Sequence, residues 1–85
     1  MNDPFINILP DIDVHGQTLD EAIFYVDDFI NDNIKMGNEK IVIIHGIGTG
    51  VLKKGINTHF KRDKRVSKIY GYTSNLGITI IELNK

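Results

Sequence analysis

Four consecutive apolar residues, Ile41-Val42-Ile43-Ile44, run straight into His45-Gly46-Ile47-Gly48-Thr49-Gly50, and this junction constrains the fold more than any other stretch. A continuous apolar run is the pattern of a strand covered on both faces or lying at the centre of a sheet. The alternate glycines Gly46, Gly48 and Gly50 let the backbone that follows take positive φ and approach a ligand with no Cβ in the way. About thirty residues earlier, Asp13-Val14-His15-Gly16 also sets a histidine and a glycine at the end of an apolar stretch. Two strand ends equipped in this way point to a single site.

The remaining segments supply the frame. Ile12 to Val14 reads as a short strand. Thr18-Leu19-Asp20-Glu21 has the capping-box spacing, in which the threonine hydroxyl and the glutamate satisfy free N–H groups at a helix start. Leu19, Ala22, Ile23, Val26, Phe29, Ile30 and Ile34 then recur at helical spacing, and Gly37 is a natural stop. Val51, Leu52, Ile56 and Phe60 predict a second, shorter helix, weakened internally by Gly55. Val66 to Tyr72 and Ile78 to Leu83 read as strands joined by the loop Thr73-Ser74-Asn75-Leu76-Gly77. The order β-α-β-α-β-β predicts an α/β (α+β) two-layer sandwich with a four-stranded mixed sheet, a parallel core and both helices on one face. Residues 1–10, with Pro4 and Pro10, read as a lead-in or linker end, and 11–85 as one domain.

Composition narrows the function. The 85 residues contain no cysteine, which removes disulfides and thiolate metal sites. No apolar run nears the roughly 18 residues of a membrane span, and the N-terminus lacks signal-peptide features, so the expected location is cytoplasmic, away from membranes. The net charge of −1 conceals a division: residues 1–39 hold nine acids against Lys35 alone, whereas residues 51–70 hold seven basic residues against Asp63. Such asymmetry allows one basic face to meet a polyanion, or else reflects a solvated helix face with ordinary lysines.

In open α/β sheets the working groups gather beyond the carboxyl ends of parallel strands, where His15 and His45 both fall on this reading. The glycine turn and the helix after it would offer backbone N–H groups and a positive dipole end to a phosphate. The turn is neither a nucleotide P-loop, lacking the Gly-Lys-Ser/Thr ending, nor a dinucleotide fingerprint, since Val51 stands where glycine is needed. A tight strand-to-helix connection is the plainer alternative. Asp13 shares a strand face with His15 and is placed to orient its ring. His45 either meets a ligand or bonds a nearby carbonyl, and His59 reads as a surface residue. Asp13, His15 and His45 together leave a divalent metal open as a cofactor. Tyr70 and Tyr72 are candidates for stacking on a base, although alternating strand tyrosines are more commonly half-buried.

Taken together, Ile12-Asp13-Val14-His15-Gly16, Thr18-x-x-Glu21 and Ile43-Ile44-His45-Gly46-Ile47-Gly48-Thr49-Gly50 followed by Leu52-Lys53 resemble the Smr domain, the small MutS-related module of MutS2 proteins. The likeness covers about residues 11–83. It implies DNA or RNA as partner and, in several members, endonuclease activity. The family's Leu-Asp-x-His motif falls on Ile12, Asp13, Val14 and His15, its His-Gly-x-Gly motif on His45 to Gly48, and its following basic residue on Lys53. Arg65-Val66-Ser67-Lys68 resembles its basic segment before the third strand. Thr73 to Gly77 departs from the glycine-rich, often glutamate-containing loop of many MutS2 members, being shorter, with one glycine and no acid.

The reading that follows is a nicking endonuclease domain without strong sequence specificity, expected at the C-terminus of a MutS2-like chain or as a stand-alone form, whose parent would dimerise through other domains. Asp13 and His15 would assist hydrolysis. His45 would bind the phosphate or stabilise developing charge. Gly46, Gly48, Thr49 and Gly50 would hold one phosphate, and Lys53, Lys54, Arg62, Lys64 and Arg65 its neighbours. The alternative is a non-catalytic module that binds nucleic acid or a ribosome and positions a larger protein. A third reading is protein binding through the acidic first helix.

Overall fold

The computed structural model describes residues 8–84. Its elements are β1 (Asp11–Asp13), α1 (Leu19–Lys35), β2 (Lys40–Ile44), α2 (Val51–Phe60), β3 (Val66–Tyr72) and β4 (Asn75–Leu83). The sheet order is β1-β2-β4-β3. β1 and β2 pair in parallel, and β4 is antiparallel to both β2 and β3. The expected parallel core is therefore confined to β1 and β2. β3 runs in the same direction as β2 but lies one strand away, because β4 folds back into the slot between them. The hairpin that does this is tighter than the sequence indicates. Tyr72 already pairs with Asn75, so only Thr73 and Ser74 form the turn and the strand begins three residues before Ile78. Of the expected lead-in, residues 1–7 lie outside the described residues. Pro10 is already docked, its carbonyl accepting from Val42 N at 2.9 Å.

Local chemistry explains the boundaries. At the start of α1, Glu21 N donates to Thr18 Oγ1 and Thr18 N to Glu21 Oε1, a complete capping box. Gly37, at φ +78°, ends the helix in the left-handed region. Ala22, Val26 and Ile30 of α1 meet Ile56 and Phe60 of α2, and together these cover Ile41, Ile43, Ile81 and Leu83 on one face of the sheet. Burying side chains of this size contributes about 1.5 to 3 kcal/mol each. The alternate residues of β2 face the other way, with Val42 opposite Ile80 and Ile44 opposite Ile78, which accounts for the uninterrupted apolar run. On that second face Tyr70 is half-buried, its hydroxyl donating to Glu82 Oε2 at 2.6 Å.

Two features were hidden from pattern reading. Asn33 is fully buried in α1 and satisfied, donating to Phe29 O and accepting from Asn38 Nδ2. Gly55 faces Leu19 of α1: a Cβ there would fall 2.4 Å from Leu19 Cδ1, so a side chain at this position requires that leucine to move.

Candidate functional site

Parallel pairing brings the ends of β1 and β2 side by side, the ladder closing with Asp13 opposite Ile44 and Val14 N donating to Ile44 O. Just beyond, both the backbone N and the Nδ1 of His15 donate to Asp13 Oδ1, at 3.0 and 2.5 Å. A carboxylate oxygen only accepts, so Nδ1 carries the proton and Nε2 is left to a ligand. The ring is 68% exposed. The imidazole hydrogen bond, helped by the backbone one, holds the Asp13 carboxyl below the usual carboxylate range.

His45 sits differently. It is 5% exposed. Its Nδ1 donates to its neighbour's carbonyl, Gly46 O, at 2.8 Å, and its Nε2 lies 2.9 Å from Thr79 Oγ1, which donates to it when the ring is neutral. Both nitrogens are thus engaged within the protein. The expectation that His45 meets a phosphate or developing charge gives way to a bracing role. Its backbone shares that role, since His45 N and Gly46 N both donate to Gly77 O. Gly46, at φ +79°, is the hub of these contacts. A Cβ there would come 3.3 Å from His15 Cβ, and a Cβ on Gly77 would come 3.4 Å from Gly46 Cα. Sequence pattern alone does not mark Thr79 and Gly77 as part of the site. Their spacing of two beside His45 acquires meaning only once β4 is known to lie against β2.

The turn and the start of α2 line a cleft of about 290 Å³, closed on the other side by Gly16, Gln17 and Thr18. Gly50 caps α2 at φ +83° without a side-chain bond, and the first turn carries no acid. Thr49 Oγ1 reaches Val51 N only at 3.4 Å. Free N–H groups and the positive end of the helix dipole therefore open on the cleft, as an anion site requires. The start of α1 also borders it, but Thr18 and Glu21 have already closed that end. Lys53 joins this cleft to a second hollow of about 400 Å³ that also involves Lys54, Asn57, Thr58, Gly71 and Thr79.

The remaining expected contacts divide. Lys54, Arg62 and Lys64 are exposed. Arg62 and Lys64 lie past the far end of α2, roughly 15 Å along the helix from the cleft at 1.5 Å per residue. Arg65 is committed elsewhere, and its assignment to a phosphate is corrected. Its Nε and NH2 grip both oxygens of Asp63, NH2 also reaches Asp27 Oδ1 at 2.6 Å, and NH1 donates to Asn31 Oδ1 at 2.9 Å. The guanidinium ties α1 to the turn before β3, pulls the Asp63 carboxyl down to about 2 and has its own pKa raised. Nor do Asp13, His15 and His45 form one ligand set for a cation, given the engaged His45 nitrogens. Among the described residues no group of three or more His, Asp or Glu side chains is arranged to hold a metal. His59 is exposed, its ring edge-on to Phe60.

The model of the Smr domain family matches residues 12–84. The chain belongs to the Smr domain family. It is 45% identical over 80 residues to the endonuclease MutS2 of Finegoldia magna, covering 91% of this chain and 10% of that protein. Over 81 residues it is 43% identical to the endonuclease MutS2 of Acetivibrio thermocellus, with the same two coverages. The chain thus spans about a tenth of the length of the curated relatives it matches. The crystal structure of the Smr domain of Thermus thermophilus MutS2 superposes with a TM-score of 0.86 at 29% identity, covering 91% of this chain and all of that one. The mixed four-stranded sheet with two helices is accordingly the Smr fold, in a nuclease-associated family. Among the described residues, no helix of this Smr domain is long and apolar enough to cross a membrane.

Proposed function

We propose that this Smr domain binds the sugar-phosphate backbone of DNA or RNA and cleaves it hydrolytically, as the nuclease module of a MutS2-like protein. The observation that carries the reading is the Asp13–His15 pair beside a glycine turn and an uncapped helix start. A phosphate in the cleft gains the first-turn N–H groups of α2 and the charge of Lys53, while Lys54, Arg62 and Lys64 meet phosphates further along. His15 Nε2 takes a proton from the attacking water as its oxygen bonds to phosphorus, and Asp13 stabilises the imidazolium so formed. That proton passes to the leaving oxygen as the P–O bond breaks. His45 acts at one remove, fixing the Gly46 peptide. A cytoplasmic setting goes with this reading.

One observation favours a second reading, a module that binds nucleic acid or a ribosome without cutting: with His45 braced internally, a single imidazole edge remains for proton transfer. Nicking of supercoiled plasmid and cleavage of structured RNA, with Mg²⁺ and with chelator, separate the two. Under the first reading His15→Ala lowers cleavage by about 10² to 10⁴ while binding persists, and Lys53→Ala weakens binding. Wild-type binding without cleavage establishes the second reading, and absence of both removes each.

A further inference from the structure

The solvent side of α1 carries features that neither the core nor the cleft uses. The buried positions of this helix are Ala22, Val26, Ile30 and Asn33. At about 3.6 residues per turn, Phe24, Asp28 and Asp32 fall on the opposite side, with Tyr25 next to them. Phe24 is 67% and Tyr25 47% exposed, and they are the aromatic members of the large apolar side chains exposed among the described residues. Their rings meet edge to face, with centroids 5.4 Å apart. A lone apolar residue on a surface calls for no explanation, whereas two rings held together in water form a patch.

The charge around this patch has one sign. Asp28 lies one turn beyond Phe24, Asp20 one turn before it, and Asp32 one turn beyond Asp28, and all three are exposed. Among the described residues none of the three takes part in an ion pair. The acids of α1 are therefore not equivalent, since Asp27 is already matched by Arg65. A phosphate chain is repelled by this surface, and the same helix of a second copy would set carboxylates against carboxylates. Its complement is a cation that lies on an aromatic face while meeting a carboxylate. A guanidinium does both, being planar, weakly hydrated and able to bond a carboxylate with two N–H groups at once.

We propose that the Phe24–Tyr25 face of α1 docks an arginine-bearing basic segment of another protein, one guanidinium stacking on a ring and bonding Asp28. The inference is independent of the nuclease reading. The cleft touches α1 only at its start, through Leu19 and the capping residue Thr18. Nucleic acid in the cleft and a basic segment on α1 thus occupy separate surfaces.

The probe is a labelled synthetic peptide of arginine interspersed with leucine and alanine, compared with the same peptide carrying lysine for every arginine. In fluorescence anisotropy the arginine peptide is expected to bind, more weakly as salt is added, and about ten-fold more tightly than the lysine form. Phe24→Ala and Tyr25→Ala, which leave the charge untouched, are each expected to lose about ten-fold, and Asp28→Asn a similar factor. Thermal midpoints are expected to stay close to wild type because these side chains are exposed. Absence of binding, equal binding of the two peptides, or binding undiminished in both aromatic variants overturns the inference. Self-association of the domain that Phe24→Ala abolishes, read by sedimentation, overturns it as well, by making a second copy the occupant.

Discussion

Arg65 and Lys64 are adjacent basic residues with different surroundings. Lys64 is solvent-exposed, whereas the Arg65 side chain is 26% exposed and bonded to Asp63, Asp27 and Asn31. Removing the guanidinium strands two partly shielded carboxylates, so Arg65→Ala is expected to lower stability by about 2 to 3 kcal/mol in denaturant unfolding, against less than about 0.5 for Lys64→Ala. The pH dependence carries the same signature. Asp63 has a depressed folded-state pKa of about 2, so its contribution is complete above the ordinary value of 3.8 and is lost as pH falls from there towards 2. In Arg65→Ala that part of the acid-side decline flattens. At this scale the sequence was legible where partners are near neighbours. Asp13 and His15 are two residues apart in one strand, and their pairing follows from that spacing. Arg65 with Asp27 and His45 with Thr79 join residues 38 and 34 positions apart, and a charge or a ring in the sequence does not name a partner at that range.

The pairing of α1 with α2 turns on Gly55. Substituting alanine gains roughly 1 kcal/mol of helix propensity, but drives a methyl group into Leu19, an overpacking worth about 1 to 3 kcal/mol. The clash is expected to win, leaving Gly55→Ala net destabilised by about 1 kcal/mol. In a Leu19→Ala background the sign reverses, and a double-mutant cycle by thermal unfolding reads the reversal. The elements themselves were largely visible beforehand, because each carries its own signals: the Thr18 box, the Gly37 stop, the unbroken run from Ile41. What could not be seen was how they share space. Gly55 looks like a flaw until Leu19 is beside it, and the hairpin loop looks five residues long until Tyr72 and Asn75 are found paired.

Across the whole molecule the charge is divided between the two helices that share one face of the sheet. The acids of the first half lie mainly along α1, while Lys53, Lys54, Arg62 and Lys64 run along α2 and the turn beyond it. Arg65 adds nothing to this second group, being matched by its own carboxylates. Under the proposed function, affinity for duplex DNA is expected to fall with salt in proportion to the phosphates neutralised, at a log-log slope of about −0.9 for each. Replacing Lys54, Arg62 and Lys64 together with alanine is expected to reduce that slope by two to three units, whereas Arg65→Ala leaves it unchanged, as salt titrations of binding would show.

The last of the described strands in chain order is an inner one. Because β4 fills the slot between β2 and β3, a chain emerging from its N-terminus can build only the three-residue ladder of β1 on β2 while β3 waits without a neighbour. The same late segment brings the Gly77 carbonyl and the Thr79 hydroxyl that hold the glycine turn in shape. The glycine turn is therefore complete only when every strand of the sheet is in place.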